Sequence, residues 1–178
     1  MPVESISPTL VEDTREQLGY SNLFRSACIR DGLSRGDYSV CGLQDRIAIE
    51  RKSLGDLVGS FTTGRSRFER EFQRARSLDY FAVVVESSLS DLLEGRYQSQ
   101  ANPQAIFQSV MSWSVKYGRP FLFCENRRIG AQTVESLLLK YCRQFVQTAE
   151  EIRRAAAKHR TASTKGAAVT ATRAAVTR

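Results

Sequence analysis

The residues Tyr80-Phe81-Ala82-Val83-Val84-Val85 form an unbroken apolar run that stops at Glu86. A strand that is apolar on both faces must be covered on both faces, so this run predicts a central strand in a sheet flanked by helices. The neighbouring segments supply the covers. Leu54, Leu57, Val58 and Phe61 recur with helical spacing directly after Ser53, a residue suited to capping. Thr62-Thr63-Gly64 interrupts the pattern, and Phe68, Phe72 and Ala75 predict a second helix over 66–77. Ile106, Val110, Trp113 and Tyr117 predict a third helix from Pro103 to a stop at Gly118, with Trp113 and Tyr117 read as core. Val134, Leu137, Leu138, Tyr141 and Phe145 predict a long helix from Ala131 to about Arg154.

Further strands are expected at Thr9-Leu10-Val11, at 36–40, at 46–52 and in a buried run from Pro120 to Cys124. Gly42-Leu43-Gln44-Asp45 reads as the turn that makes 36–52 a hairpin. Residues 21–32 are expected to form a short helix carrying Leu23, Ala27 and Cys28 and ending near Gly32. The polar stretch 87–103 reads as a loop with a short helical turn. Strands alternating with helices predict one α/β domain over 1–154, with a mixed central sheet flanked by helices.

From about residue 155 alanine, threonine, glycine and bases take over, so 155–178 is expected to be a disordered basic tail. Its weight in the charge balance is large. The formal net charge is +7, but residues 151–178 hold seven bases and one acid, while the first 150 hold nineteen bases and eighteen acids. A nucleic-acid surface on the domain itself must therefore come from local clustering, and the tail can add contacts to phosphates that weaken with salt. No apolar run is long enough for a membrane span, and the N-terminus does not read as a secretory signal. Cys28, Cys41, Cys124 and Cys142 lie far apart, and His159 is the one histidine. A zinc site is not expected on that inventory, and free thiols suit a reducing, intracellular location.

The candidate chemistry lies in the hairpin, where acids and a lysine on strands also suit a solvated face. Along its second strand Ile47, Ile49 and Arg51 point one way and Ala48, Glu50 and Lys52 the other. A carboxylate and an ammonium thus stand side by side, about 7 Å apart at the backbone. Asp37 near the start of the first strand comes close to Glu50 on antiparallel pairing. Two carboxylates with an adjacent lysine suit a phosphodiesterase using Mg²⁺, which takes carboxylate and carbonyl oxygens and keeps several waters.

Gly36-Asp37, twelve residues, then Glu50-Arg51-Lys52-Ser53-Leu54-Gly55-Asp56 resembles the signature of the XPF family of structure-specific nucleases. Asp13-Thr14-Arg15-Glu16, Asp56-Leu57-Val58-Gly59-Ser60, and Gly64-Arg65 followed by Arg67-Phe68 and Glu71 resemble further elements of that family, in the same order, over residues 9–125. Glu12 stands where the family carries an apolar residue. The resemblance implies a restriction-endonuclease-like fold and a DNA endonuclease using Mg²⁺, with Mn²⁺ able to substitute. It implies Asp37, Glu50 and the Arg51 carbonyl as metal ligands and Lys52 acting on the attacking water. Asp13 and Glu16 are implied at the same centre, through a water or a second metal. Arg65 and Arg15, with Arg67 and Arg70 beside them, would contact DNA phosphates. Asp56 is implied as an orienting residue at the helix start, where an acid also suits the helix dipole.

The implied substrate is branched, flap or fork DNA in repair or recombination. A homodimer or a partner subunit is expected, and no membrane partner. The chain reads as a stand-alone form without the helix-hairpin-helix module that larger family members carry. A non-catalytic DNA-binding or scaffold module with the same fold is the alternative. For individual side chains other readings stay open. Arg51 suits a structural ion pair, and Arg67, Arg70 and Arg74 alternate with Glu69 and Glu71 as a solvated face would.

Overall fold

The computed structural model describes residues 7–175, with side chains as far as Lys158. Residues 7–142 form one compact unit, and residue 143 onward belongs to another. The first unit is built on six strands: β1 (Leu10–Asp13), β2 (Cys28–Asp31), β3 (Tyr38–Val40), β4 (Ile47–Lys52), β5 (Tyr80–Val85) and β6 (Phe121–Phe123). Their order in the sheet is β2-β1-β3-β4-β5-β6. β3 runs antiparallel to both β1 and β4, and the other neighbours are parallel, so the sheet is mixed.

The apolar run is β5, and its burial is nearly complete because β4 and β6 pair with its two edges. In the parallel register Glu50 lies beside Val83 and Lys52 beside Val85. Val83 and Val85 belong to the main core, with Ala48, Phe81 and side chains of α1 (Leu54–Phe61), α2 (Arg65–Arg74) and α4 (Pro103–Tyr117). Glu50 and Lys52 therefore sit on the helix-covered face of the sheet, at the end of β4. Trp113 is core, as expected: its ring stacks on Phe68 at 5.3 Å and meets Phe61 and Phe72 edge-on.

Local signals explain the helix ends. Ser53 Oγ accepts the Asp56 N–H at the start of α1. Asn102 does the same for Ala105 ahead of α4, with Pro103 in the first turn. Gly118, at φ 61°, ends α4 in the left-handed conformation open to glycine. The polar stretch after β5 holds the short helix α3 (Leu89–Leu93).

Two segments depart from expectation. Residues 21–27 do not form a helix, and Cys28–Asp31 is an edge strand paired parallel with β1. The backbone donors that a helix would have used go elsewhere: Arg25 and Ser26 donate to the Glu135 carboxylate, and Leu23 and Phe24 to the Tyr20 carbonyl. A side chain about 110 residues away is invisible to a local pattern. β6 is half-buried rather than buried, because it closes the other edge of the sheet. Finally, α5 runs from Arg127 to Ala175, with Asn126 Oδ1 accepting the Ile129 N–H at its start. The backbone over 155–175 continues this helix, in keeping with the high helix propensity of its alanines and bases. No helix among the described residues is long and apolar enough to cross a membrane.

One glycine decides the geometry of the hairpin. Gly36 sits at φ 65°, and a Cβ there would lie 2.9 Å from Ala48 Cβ and 3.0 Å from the Ile49 carbonyl oxygen. Both the conformation and the space exclude a side chain. The next residue, Asp37, donates its N–H to Ile49 O at 2.8 Å. Gly36→Ala is expected to destabilise the fold by about 1–3 kcal/mol, the usual range for a forced backbone strain, read as a lower urea midpoint.

Candidate active site

Tyr38 pairs with Ile49 across the hairpin, and Tyr38 is stacked on Tyr20 at 5.1 Å on the Ile49 side of the sheet. Asp37 and Glu50, each one residue away, therefore point to the opposite face. Asp37 Oδ2 accepts the Arg51 N–H at 2.7 Å, which fixes the carboxylate beside β4. Lys52 Nζ donates to Glu50 Oε1 at 2.7 Å, with 12% of the lysine side chain and 14% of the glutamate side chain exposed. The three residues expected at the centre are brought together.

Their electrostatics follow from burial. Burial and then the charge of Glu50 push the Asp37 carboxyl well above the ordinary carboxylate range, against the Arg51 N–H. Burial also raises Glu50, and the Lys52 ammonium offsets this only in part. Burial works against the Lys52 ammonium, but Glu50 outweighs it and keeps the lysine firmly protonated. The pair of acids holds more negative charge than one lysine balances.

Arg51 faces the other way and is a structural pin. Its Nε and Nη2 donate to the two Glu86 oxygens at 2.9 and 2.6 Å, and Nη1 lies 3.4 Å from Glu16. Only 10% of the Arg51 side chain and 12% of Glu86 are exposed. Glu86, which the sequence reading passed over, ends the apolar run, and its N–H donates to the Lys52 carbonyl. An acid closing a buried strand beside an arginine-bearing one was the available signal.

The remaining expected residues divide. Asp13 is buried, and its carboxylate accepts from the Arg15 N–H, Arg15 Nε and Nη2, and the Leu33 N–H. Those bonds, led by the Arg15 side chain, lower its pKa despite burial. These bonds tie the Asp13 carboxylate to the Arg15 turn and to the Leu33 N–H, and Asp13 does not line the site cavity. Glu16 does line it, with its Oε1 held by Arg51 and by the Leu18 N–H. Asp56 lines it too, and its Oδ2 accepts from Ser53 Oγ at 2.7 Å. Glu12, the departure from the family pattern, is buried and accepts from Ser21, with Gly19 packed directly against its carboxylate.

Two cavities meet at Asp37 and Glu50, of about 760 and 490 Å³. Arg15 and Arg67 line both. Arg65 and Arg70 line neither. The Arg65 guanidinium instead lies over the Trp113 ring at 5.4 Å and within 3.3 Å of Ser109 Oγ. The wall of the larger cavity along α1 carries Gly55, Gly59 and Ser60 beside Asp56. A Cβ at Gly59 would meet nothing within 4 Å, so that side is open to a close-approaching backbone.

Two stability predictions follow from this geometry. Arg51→Ala leaves the buried Glu86 with only the Arg127 guanidinium, 3.7 Å away, and is expected to cost about 2–4 kcal/mol in chemical denaturation. Asp37→Asn is expected to have the opposite sign in metal-free protein. A carboxyl whose pKa is raised by folding destabilises the native state once pH exceeds its unfolded value, and increasingly until the folded value is passed. The Asn variant should therefore melt higher than the natural protein at pH 7–8, with the gap closing as pH falls toward 3.8, the ordinary Asp value. An unchanged or lower melting temperature at pH 8 would contradict this reading of the acid pair.

Comparison with known proteins places this geometry in a family. The model of the ERCC4 domain matches residues 12–137. Among solved structures, XPF from Aeropyrum pernix superposes with a TM-score of 0.63 at 21% identity, covering 80% of this chain and 69% of that one. XPF from Aeropyrum pernix in complex with DNA gives a TM-score of 0.62 at 22% identity, covering 77% and 66%. No curated protein sequence matches the chain. The family match spans both hairpin strands, the carboxylate pair and the helices that cover them, and the solved structures share the fold: the chain belongs to the ERCC4 domain family and carries an XPF-type nuclease domain.

Proposed function

We propose that the chain is a metal-dependent DNA endonuclease that hydrolyses phosphodiester bonds at branched, flap or fork structures. The observation that carries this is the buried Asp37–Glu50 pair with Lys52 bound to Glu50 at the floor of an open cavity. Such a pair, under-compensated by one lysine, is stabilised by a cation. The donor set fits Mg²⁺: two carboxylates and the Arg51 backbone carbonyl are hard oxygens, and Asp37 Oδ1 accepts no hydrogen bond from the described residues. No three His, Cys, Asp or Glu side chains among the described residues converge into a ready cage. Mg²⁺ binds through one or two carboxylates and retains water. Mn²⁺ fits the same oxygens.

When bound, magnesium supplies charge neutralisation at the phosphate and activation of water. The protein's own groups do the rest. Asp37 and Glu50 hold the centre, and the Arg51–Glu86 pair keeps β4 in place behind them. Lys52 orients the attacking water and stabilises charge that develops on the phosphate oxygens. Glu16, at the cavity wall, steadies the Arg51 end of the site. Arg15 and Arg67 hold the strand's phosphates, with Arg15 fixed in turn by Asp13. The Gly55, Gly59 and Ser60 face of α1, beside Asp56, gives the sugar–phosphate backbone room to approach.

Support for the DNA substrate comes from the family and from the relative solved with DNA. A role in DNA repair or recombination, and action as a homodimer or with a partner subunit, belong to the same reading.

The test is cleavage of a labelled panel of single strand, duplex, flap, fork and four-way junction DNA with Mg²⁺, Mn²⁺ or EDTA. The natural protein should cut with either metal, stop in EDTA, and show a preference among the branched substrates. Asp37→Asn and Glu50→Gln should lose at least about a hundredfold in rate while still binding DNA. Binding without cutting under every metal condition would instead support the non-catalytic module.

A further inference from the structure

The larger cavity leaves part of the site's basic character unused. The smaller one, on the far side of Asp37 and Glu50, is walled by Arg35, Arg67 and Arg74, with Arg15 at the shared edge. Arg35 is positioned from two sides: its Nε donates to the Arg74 carbonyl at 3.0 Å, and Nη1 lies 3.5 Å from Asp45. That bond ties the loop before Gly36 to the last turn of α2 and sets the two arginines at one wall. Arg67 is 74% exposed and lies 3.9 Å from Glu71, too far for a hydrogen bond, so Glu71 steers it without satisfying it. The Arg74 side chain makes no ion pair among the described residues. The apolar part of the lining is Phe81, at the floor.

Building on the endonuclease reading, we propose that this arginine-walled cavity seats the phosphate next to the scissile one, held by Arg35, Arg67 and Arg74. Two facts point to a phosphate of a continuous strand. Planar guanidinium forks with free donors match phosphate oxygens. The two cavities also share their floor at Asp37 and Glu50 and share Arg15 and Arg67 at their edges. A strand whose bond is cut at that floor must leave the α1 cavity on one side and enter the arginine cavity on the other. The carboxylates Asp37 and Glu50 do not oppose this once a cation neutralises them; Glu71 also lines the cavity, with Oε1 facing Arg67 and a buried Oε2 without a partner among the described residues, and three arginines outnumber that one acid. The α2 arginines thus serve two purposes: Arg67 spans both cavities, and Arg74 belongs to the second alone.

The test is a coupling measurement. Oligonucleotides with one neutral methylphosphonate at each position flanking the cut are compared for the natural protein, Arg74→Gln, and Arg67→Gln with Arg74→Gln. Arg74 is exposed at the end of α2, so its variant should fold, as a melting curve will show. At one flanking position, on one side of the cut only, the neutral linkage should slow the natural protein about tenfold, as expected for loss of a charge-assisted hydrogen bond. Arg74→Gln should be slowed by a similar factor on unmodified DNA and lose little more from that same linkage. If every neutral linkage slows the variants as much as the natural protein, or if Arg74→Gln cuts as fast as the natural protein, the proposal is wrong. The same cycle read in binding affinity decides the matter if nothing is cleaved. In that case the endonuclease reading fails while the phosphate seat is still tested.

Discussion

A strand buried on both faces cannot carry a charge without a partner, and β4 carries three in succession. Glu50 and Lys52 fall on the helix-covered face and Arg51 on the other, so the sheet must neutralise charge on both sides of one short segment. It does so with different economies. Arg51 meets Glu86 in a two-point fork with Glu16 beside it, which satisfies the guanidinium almost fully. On the opposite face Lys52 answers only one of the two acids. The first pairing makes the end of β4 rigid, and the second leaves a deficit of positive charge where the cavities meet. Strength behind the site and frustration within it come from the same alternation of side chains.

The surrounding loops are anchored by polar groups that sequence patterns tie to catalysis. Asp13 spends both its oxygens on the Arg15 turn and the Leu33 N–H, which places the Arg15 guanidinium at the cavity edge. Glu12, where an apolar residue is usual, binds Ser21 beneath Gly19. Gly36 turns the chain where no side chain fits, so that Asp37 leaves the ladder aimed at the Arg51 N–H. The motif residues are thus of two kinds. Asp37, Glu50 and Lys52 face the open space, while Gly36, Arg51 and Asp13 keep them there.

The arginines of α2 show the same division. Helical spacing put Arg67, Arg70 and Arg74 on one stripe, but Arg67 and Arg74 line the cavities and Arg70 does not. Arg65, two residues before Arg67, rests on the aromatic cluster of Phe61 and Trp113, where its stem and charge cover ring faces.

The sequence by itself determined the central strand, the hairpin, the capped helices and the identity of the acid pair with its lysine. Each of these is local: a run of apolar residues, a period of two or of 3.6, or a short motif within one hairpin. Only the tertiary structure decided that residues 28–31 join the sheet as an edge strand, because the donors before them are satisfied by Glu135 on α5. It also decided that Asp13 binds the Arg15 turn and the Leu33 N–H, that Glu86 is the partner of Arg51, and that Arg35 and Arg74 share a wall. These depend on contacts between side chains far apart in the chain, where free energy is set by burial and pairing rather than by the neighbours a pattern can see.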